Sequence, residues 1–298
     1  MCGIVGLFLK NEALKPQLGE LLSAMLITMT DRGPDSAGIA IYGDEVSDMI
    51  KLTVQSASPD EDFPALEQSL HSLKEDNPKL SIRDTHAVIH TNANQGDTIR
   101  AMLMSSHPNI RLMSYGQSIE IYKEVGLPKK VVERFNLTSA SGSHGIGHTR
   151  MATESAVTTL GAHPFSTGSD QCLVHNGSLS NHNTLRRQLN REGITTQTEN
   201  DSEVAAAYLT ARMNEGDSLG EALTAGIADL DGFFTFVVGT RDGFGVLRDP
   251  IACKPAVMAE NEDYVAFGSE YRALVGLPDI EQARVWEPEP AQVYFWSH

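Results

Sequence analysis

The sequence predicts an α+β chain built on short, buried strands. Three observations carry that prediction. A continuous apolar run, Gly3-Ile4-Val5-Gly6-Leu7-Phe8-Leu9, opens the chain and reads as a buried strand. Similar runs recur in the second half, at 145–148, 171–175, 233–239, 244–248, 256–259 and 264–268. Helical periodicity falls between such runs, first at Leu18, Leu21, Leu22, Met25, Leu26 and Met29.

The elements follow in order. Pro16 suits the first position of the first helix. That helix ends before Asp31-Arg32-Gly33-Pro34-Asp35-Ser36, a loop rich in helix breakers. Residues 37–42 read as the next strand. Residues 44–142 are mixed, helical near 64–75 and 128–135 and strand-like near 86–90 and 118–122. No motif in this span suggests chemistry. Arg241-Asp242-Gly243 is expected to be a hairpin turn, with Asp-Gly as its signal. Three helices are expected late in the chain. One spans 183–191, capped by Asn183 and followed by Gly193. The second spans 201–214 and stops near Gly216, and the third spans 218–229 after Asp217. There is no internal repeat and no low-complexity segment.

Composition narrows the class. The chain has 298 residues, 41% hydrophobic and 21% charged, enough to bury a proper core. A net charge of −16 and a pI near 5.0 argue against nucleic acid and anionic membranes as partners. Cys2, Cys172 and Cys253 are an odd, sparse set, which fits a reducing compartment. The apolar opening is too short for a signal peptide and has no basic stretch before it. Nothing approaches a membrane span. A soluble cytoplasmic protein is expected.

Cys2 stands directly behind the initiator Met. It is small enough for the Met to be trimmed. Trimming leaves one residue carrying both a thiol and an α-amine, whose reference pKa is about 7.7–8.0. Nucleophile and base then sit on a single residue. The plainer alternative is that Cys2 is a small buried hydrophobe, as most free cysteines are.

Several motifs follow in a fixed order. They are Cys2-Gly3-Ile4, Arg32-Gly33-Pro34-Asp35-Ser36, Gly147-His148-Thr149-Arg150-Met151-Ala152-Thr153, His163-Pro164-Phe165, His175-Asn176-Gly177 and Asp201-Ser202-Glu203. Asp231-Gly232-Phe233-Phe234, Arg248-Asp249-Pro250 and Ser269-Glu270 close the series. The set resembles the class II glutamine amidotransferases, the N-terminal-nucleophile hydrolases that take ammonia from glutamine. The resemblance covers roughly 1–42 and 143–298. It implies a four-layer α/β/β/α sandwich of two mainly antiparallel sheets. One amidotransferase domain would span 1–298, with an insertion at about 44–142 that acts as a docking surface or lid.

The resemblance also implies roles. Cys2 is the nucleophile. The side-chain amide of Asn176 and the backbone N–H of Gly177 form the oxyanion hole; taken alone, Asn-Gly reads rather as a tight turn. Arg150, with Thr153 assisting, binds the substrate α-carboxylate, for which a planar two-pronged donor is best suited. Asp201 takes the α-ammonium, although its residue type and place also suit a helix N-cap. Arg32, Asp35 and His175 support the site. Cys172 and Cys253 read as ordinary buried residues. The histidines at 144, 148, 163 and 175 match no compact zinc spacing, so no metal is expected. Met151 replaces a usual aromatic, Glu154 a usual neutral residue, and Lys254 a common Arg.

No synthase region follows the motifs before His298. A separate partner chain is therefore expected to receive the ammonia. Met151-Ala152-Thr153-Glu154-Ser155-Ala156-Val157-Thr158 and Ile251-Ala252-Cys253-Lys254-Pro255-Ala256-Val257-Met258 are similar to the stand-alone subunit of glutamate-synthase-like and N-methylglutamate synthase complexes. In those, flavin and iron–sulfur cofactors belong to other subunits, and none is expected here. Two rivals remain: a glutamine-binding regulatory subunit with weak turnover, and an N-terminal-cysteine hydrolase of other amides.

Overall fold

The computed structural model describes residues 2–73, 78–152 and 156–298. Among these, the strands form sheets of seven, five and four. In the largest, Gly3–Leu9 lies between His144–Arg150 and Tyr264–Gly268, antiparallel to both. Ser36–Tyr42 and then Ile119–Val125 extend the sheet beyond His144–Arg150. Gly3–Leu9 is buried along its whole length, as its unbroken apolar run requires. The five-stranded sheet runs Val293–Ser297, Gly243–Arg248, Gly232–Thr240, Gln171–Leu179, Phe165–Gly168.

The two larger sheets stack face to face. Ile4, Phe8, Ala40 and Ile146 from one meet Val174, Val237, Phe244 and Val246 from the other in a shared core. Helix Leu18–Thr28 covers the outer face of the first sheet, burying Leu18, Leu22, Met25 and Leu26. That spacing lines one helical face. Asp201–Asn214 and Leu219–Asp229 cover the second sheet, with Val204, Leu209 and Leu223 against Leu173, Phe234 and Phe236. The result is the expected α/β/β/α sandwich.

Local details correct several expectations. Pro16 falls inside a 3₁₀ turn, Glu12–Gln17, so the first α-helix begins at Leu18. Asn181, not Asn183, holds the cap position of His182–Arg191; Asn183 instead accepts a 2.6 Å bond from Arg186. The third late helix, expected over 218–229, runs Leu219–Asp229, and Ser218 caps it in a reciprocal capping box with Glu221. The Arg241-Asp242 turn forms as expected, with Thr240 paired to Gly243.

The stretch expected as an insertion divides in two. Met49–Gln55, Lys79–Arg83, His86–Asn92 and Arg111–Gly116 form the four-stranded accessory sheet. It packs with helices Pro59–His71 and Gly96–Ser106 around its own core of Leu52, Phe63, Leu66, Ile89 and Ile99. The rest belongs to the body. Ile119–Val125 completes the edge of the large sheet, and Val131, Val132 and Phe135 join its helix-side core. Asp170 anchors the return between the two, accepting from the backbone N–H groups of Gln117 (2.7 Å), Ser118 (2.9 Å) and Ile119 (3.0 Å). Among the described residues no helix is long and apolar enough to cross a membrane.

Candidate active site

The register of the central strands assembles one wall of the site. Gly3 pairs with Thr149, and Ser36 with Arg150, so Cys2 arrives beside Arg150 at the same end of the sheet. Ser269 fixes this end: its Oγ accepts from Ile4 N and its own N–H donates to Ile4 O, both at 2.9 Å. Cys2 is partly buried, with its Sγ 4.0 Å from Met151 O.

The carbonyl of Cys2 is held from two directions. Arg32 Nε donates to it at 2.9 Å and Asn176 Nδ2 at 3.3 Å. Arg32 is itself buried and pairs with Glu270 at 2.6 Å. That hydrogen bond holds the Glu270 carboxyl below its usual range, helped by Arg272. Arg32 thus ties the N-terminus to the Ser269-Glu270 turn, which joins two motifs distant in sequence. Asp35 Oδ2 accepts from Ala152 N at 2.8 Å and fixes the chain just past Arg150. Both residues touch the backbone that frames Cys2 and Arg150.

The second sheet supplies the facing wall. Asn176 is buried, and Gly177 pairs with Phe234. A Cβ on Gly177 would lie 2.0 Å from Phe233 O and 2.7 Å from His175 Nε2, so no side chain fits there. Asp201 begins its helix but does not cap it. Asn200 is the cap, accepting from Ser202 N at 2.9 Å. The Asp201 carboxylate accepts from Leu179 N at 2.9 Å, which ties it to the end of the strand carrying Asn176 and Gly177.

Three histidines pack behind this wall. His148 Nε2 donates to His175 O at 3.1 Å across the two sheets. The rings of His148 and His163 lie 4.0 Å apart between centroids. His175 Nδ1 is 2.9 Å from Ser202 Oγ and 3.9 Å from Asp201 Oδ1. Burial pushes the His175 imidazole down to about 4 and that of His148 to about 3, and holds His163 well below its usual value. All three are therefore neutral at pH 7. Among the described residues, no group of three or more His, Cys, Asp or Glu side chains is disposed to hold a metal ion.

Cys2, Arg150, His175, Asn176, Gly177 and Asp201 line one cavity of about 570 Å³. Residues separated by up to two-thirds of the chain are thus brought together. Thr153 and Glu154 lie outside the described residues. The cavity also takes in Thr158, His163, His182, Glu199 and Lys254, none of which sequence reasoning placed in the site. Lys254 had one usable signal, its place just beyond Arg248-Asp249-Pro250. Arg248 Nη2 donates to Ala252 O (2.6 Å) and Lys254 O (2.9 Å), while Asp249 accepts from Ile251 N (2.8 Å). This folds the segment so that Lys254 Nζ sits 4.9 Å from the centroid of the Phe233 ring. Cys172 is buried as expected, and its thiol is pushed up to about 12. Cys253, expected to be buried, is exposed because it rides on the surface of that same turn.

Fold and site together bring a cysteine at position 2, at a sheet end, and an Asn-Gly pair of the second sheet into one cavity. Comparison with known proteins agrees: the chain belongs to the glutamine amidotransferase family. The family's glutamine amidotransferase domain matches residues 148–276. Over its full length the chain is 68% identical to the glutamine amidotransferase-like protein GlxB of Rhizobium meliloti, covering 99% of that protein. It is 33% identical to a putative glutamine amidotransferase of Methanothermobacter thermautotrophicus, covering 99% of each. Its fold matches the glutamine phosphoribosylpyrophosphate amidotransferase of B. subtilis, with a TM-score of 0.63 at 20% identity. That match covers 99% of this chain and 47% of the solved chain, so this protein spans about half the length of that enzyme.

Proposed function

We propose that this chain, with Met1 removed, hydrolyses glutamine to glutamate and ammonia through a Cys2 thioester, and passes the ammonia to a separate synthase subunit. The observation that carries the reading is the shared cavity, which Cys2, Asn176, Gly177, Arg150 and Asp201 all line. The thiol gives its proton to its own α-amine and attacks the side-chain amide carbon. Negative charge builds on the amide oxygen, where Asn176 and the Gly177 N–H receive it. An amide nitrogen carries two N–H donors, so the bond from Asn176 to the Cys2 carbonyl leaves one for this purpose. The α-ammonium returns its proton to the leaving nitrogen and ammonia departs. A water, deprotonated by the freed amine, attacks the thioester; the thiolate leaves and glutamate is released. Arg150 clamps the substrate carboxylate, with Thr153 assisting, and Asp201 holds its ammonium. Arg32, Asp35 and His175 keep the frame in place.

The partner belongs to the glutamate-synthase-like or N-methylglutamate synthase type, in the cytoplasm, with flavin and iron–sulfur cofactors in its own subunits and none in this chain. The motif likeness around Met151–Met258 supports that assignment. The test is glutamate release from glutamine, compared with an amide lacking the α-amino and α-carboxylate groups, with and without candidate synthase subunits. Hydrolysis of glutamine alone is expected. Equal rates on both amides would remove the head-group roles of Arg150 and Asp201. Glutamine binding with no turnover in any complex would identify a regulatory subunit instead.

A further inference from the structure

Lys123 lies in the stretch where the sequence shows no chemical motif, yet it is the most completely enclosed lysine of the body. It projects from Ile119–Val125 and is 4% exposed. An ammonium so buried is costly unless its donors are met. Here all three are used. Nζ donates to the carbonyls of Ala162 (2.8 Å), Pro164 (3.1 Å) and Leu160 (3.3 Å). The ring of Phe165 lies 4.6 Å from the same nitrogen. These carbonyls belong to the segment that brings Gly161 and His163 to the catalytic cavity. The neighbouring Glu124 holds Thr159 of that segment through its hydroxyl.

Glu203 does the converse on the opposite wall. It is 5% exposed and accepts from Gln197 N and Thr198 N, each at 2.7 Å, and from Thr198 Oγ1 at 2.6 Å. Thr198, Glu199 and Asn200 then line the catalytic cavity. Lys123 and Glu203 both line one small void, together with Leu160 and Thr198. A buried cation thus gathers carbonyls from one loop while a buried anion gathers N–H groups from the other.

We propose that Lys123 is a positioning residue for the glutamine pocket, clamping the 160–164 loop while Glu203 clamps 197–198, so that the pair sets the spacing of the two walls. Lys123 touches no substrate; it acts through Gly161 and His163. The proposal rests on the reading of the cavity as a glutamine site. The chemistry explains the choice of residue, because a point-like ammonium with three donors can serve three carbonyls that converge on it.

The test uses the full chain and two reagents that react with Cys2. The diazoketone analogue of glutamine, diazo-oxo-norleucine, needs the formed pocket; iodoacetamide needs only an accessible thiol. Saturation of Cys2 labelling by the analogue, followed by intact mass, separates half-saturating concentration from limiting rate. Lys123→Met should raise the half-saturating concentration by about tenfold or more, as losing hydrogen bonds to a charged group implies. Its limiting rate and its iodoacetamide rate should stay near those of wild type. Glu203→Gln, which keeps the side-chain shape, should move the same parameter in the same direction and carries the test should Lys123→Met not fold. Saturation unchanged in the folded variants, or a fall shared equally by both reagents, overturns the clamp. Wild-type protein that iodoacetamide labels but the analogue does not would overturn the glutamine reading, and the clamp with it.

Discussion

The two-sheet body and the accessory sheet bury different kinds of side chain. Among the described residues, the buried charged side chains are Arg32, Lys123, Glu124, Arg150, Asp170, Glu203, Arg248 and Asp249. All lie outside the accessory unit of residues 49–116. That unit buries Leu52, Val54, Phe63, Leu66, Leu70 and Ile89, with neutral polar groups such as Thr53, Gln55 and Thr91. Taking a charge out of water is costly, and replacing a buried ion pair by apolar groups is often neutral or stabilising. Four of these charges hold backbone around the cavity, Arg32 on Cys2, Lys123 on 160–164, Glu203 on 197–198 and Arg248 on 252–254, while Asp170 holds the return at 117–119. The described residues of the accessory unit contribute nothing to the lining of that cavity and pack around a small core of their own. Burial of charge therefore marks the part of the molecule in which precise backbone placement matters.

The largest effect expected from breaking this contrast is at the nucleophile. Cys2→Ala should reduce glutamine hydrolysis to background while the thermal midpoint stays near that of wild type. Activity retained in that variant would refute the assignment. Asn176→Ala comes next, lowering turnover on the order of 10²–10³ if its amide receives the oxyanion. Glu270→Ala leaves Arg32 buried without its ion-pair partner, although Arg32 Nη2 already has none. Turnover should fall by about tenfold through displacement of Cys2, with a loss of about 1–3 kcal/mol in denaturant unfolding.

The accessory core provides the opposite case. Phe63 is fully buried there, and Phe63→Ala should cost that unit about 3–5 kcal/mol. Hydrogen exchange should rise across 49–116, while glutamine turnover in the isolated chain stays within about twofold, since no cavity residue moves. A collapse in turnover would show that the two regions are not separable.

Acid should make the regions behave alike. His175 in the body and His86 in the accessory sheet are held neutral by burial, at about 4 and about 3. Between the unfolded value of about 6.5 and these folded values, the unfolded chain binds more protons. Stability is therefore expected to fall as pH drops through that window, and to be unaffected by these groups above it. Thermal midpoints measured from pH 7 to pH 4 check the sign; a flat profile would contradict neutral burial.

Much of the body was legible because its signals are local. The unbroken run of Gly3–Leu9 reads as a buried strand, and Cys2, Arg150, Asn176 and Asp201, which the motif order groups, line one cavity. The accessory strands were harder. Lys79–Arg83 and Arg111–Gly116 mix polar and apolar residues in short runs, and Lys79–Arg83 has no fully buried residue to betray it. The pairing of Ile119–Val125 with Ser36–Tyr42 is long-range and leaves no local mark in the sequence. Lys123 and Glu203 were invisible for a related reason. Each looks like a surface charge until the loop whose backbone it gathers is seen folded over it.

The central claim is that an N-terminal Cys2 in this cavity is the nucleophile of a glutamine amidotransferase. Intact mass of the untagged protein, before and after treatment with the diazoketone analogue of glutamine, tests it most directly. Loss of Met1 and a single adduct that disappears in Cys2→Ala are expected. Retained Met1, or no adduct even with synthase subunits added, would contradict it.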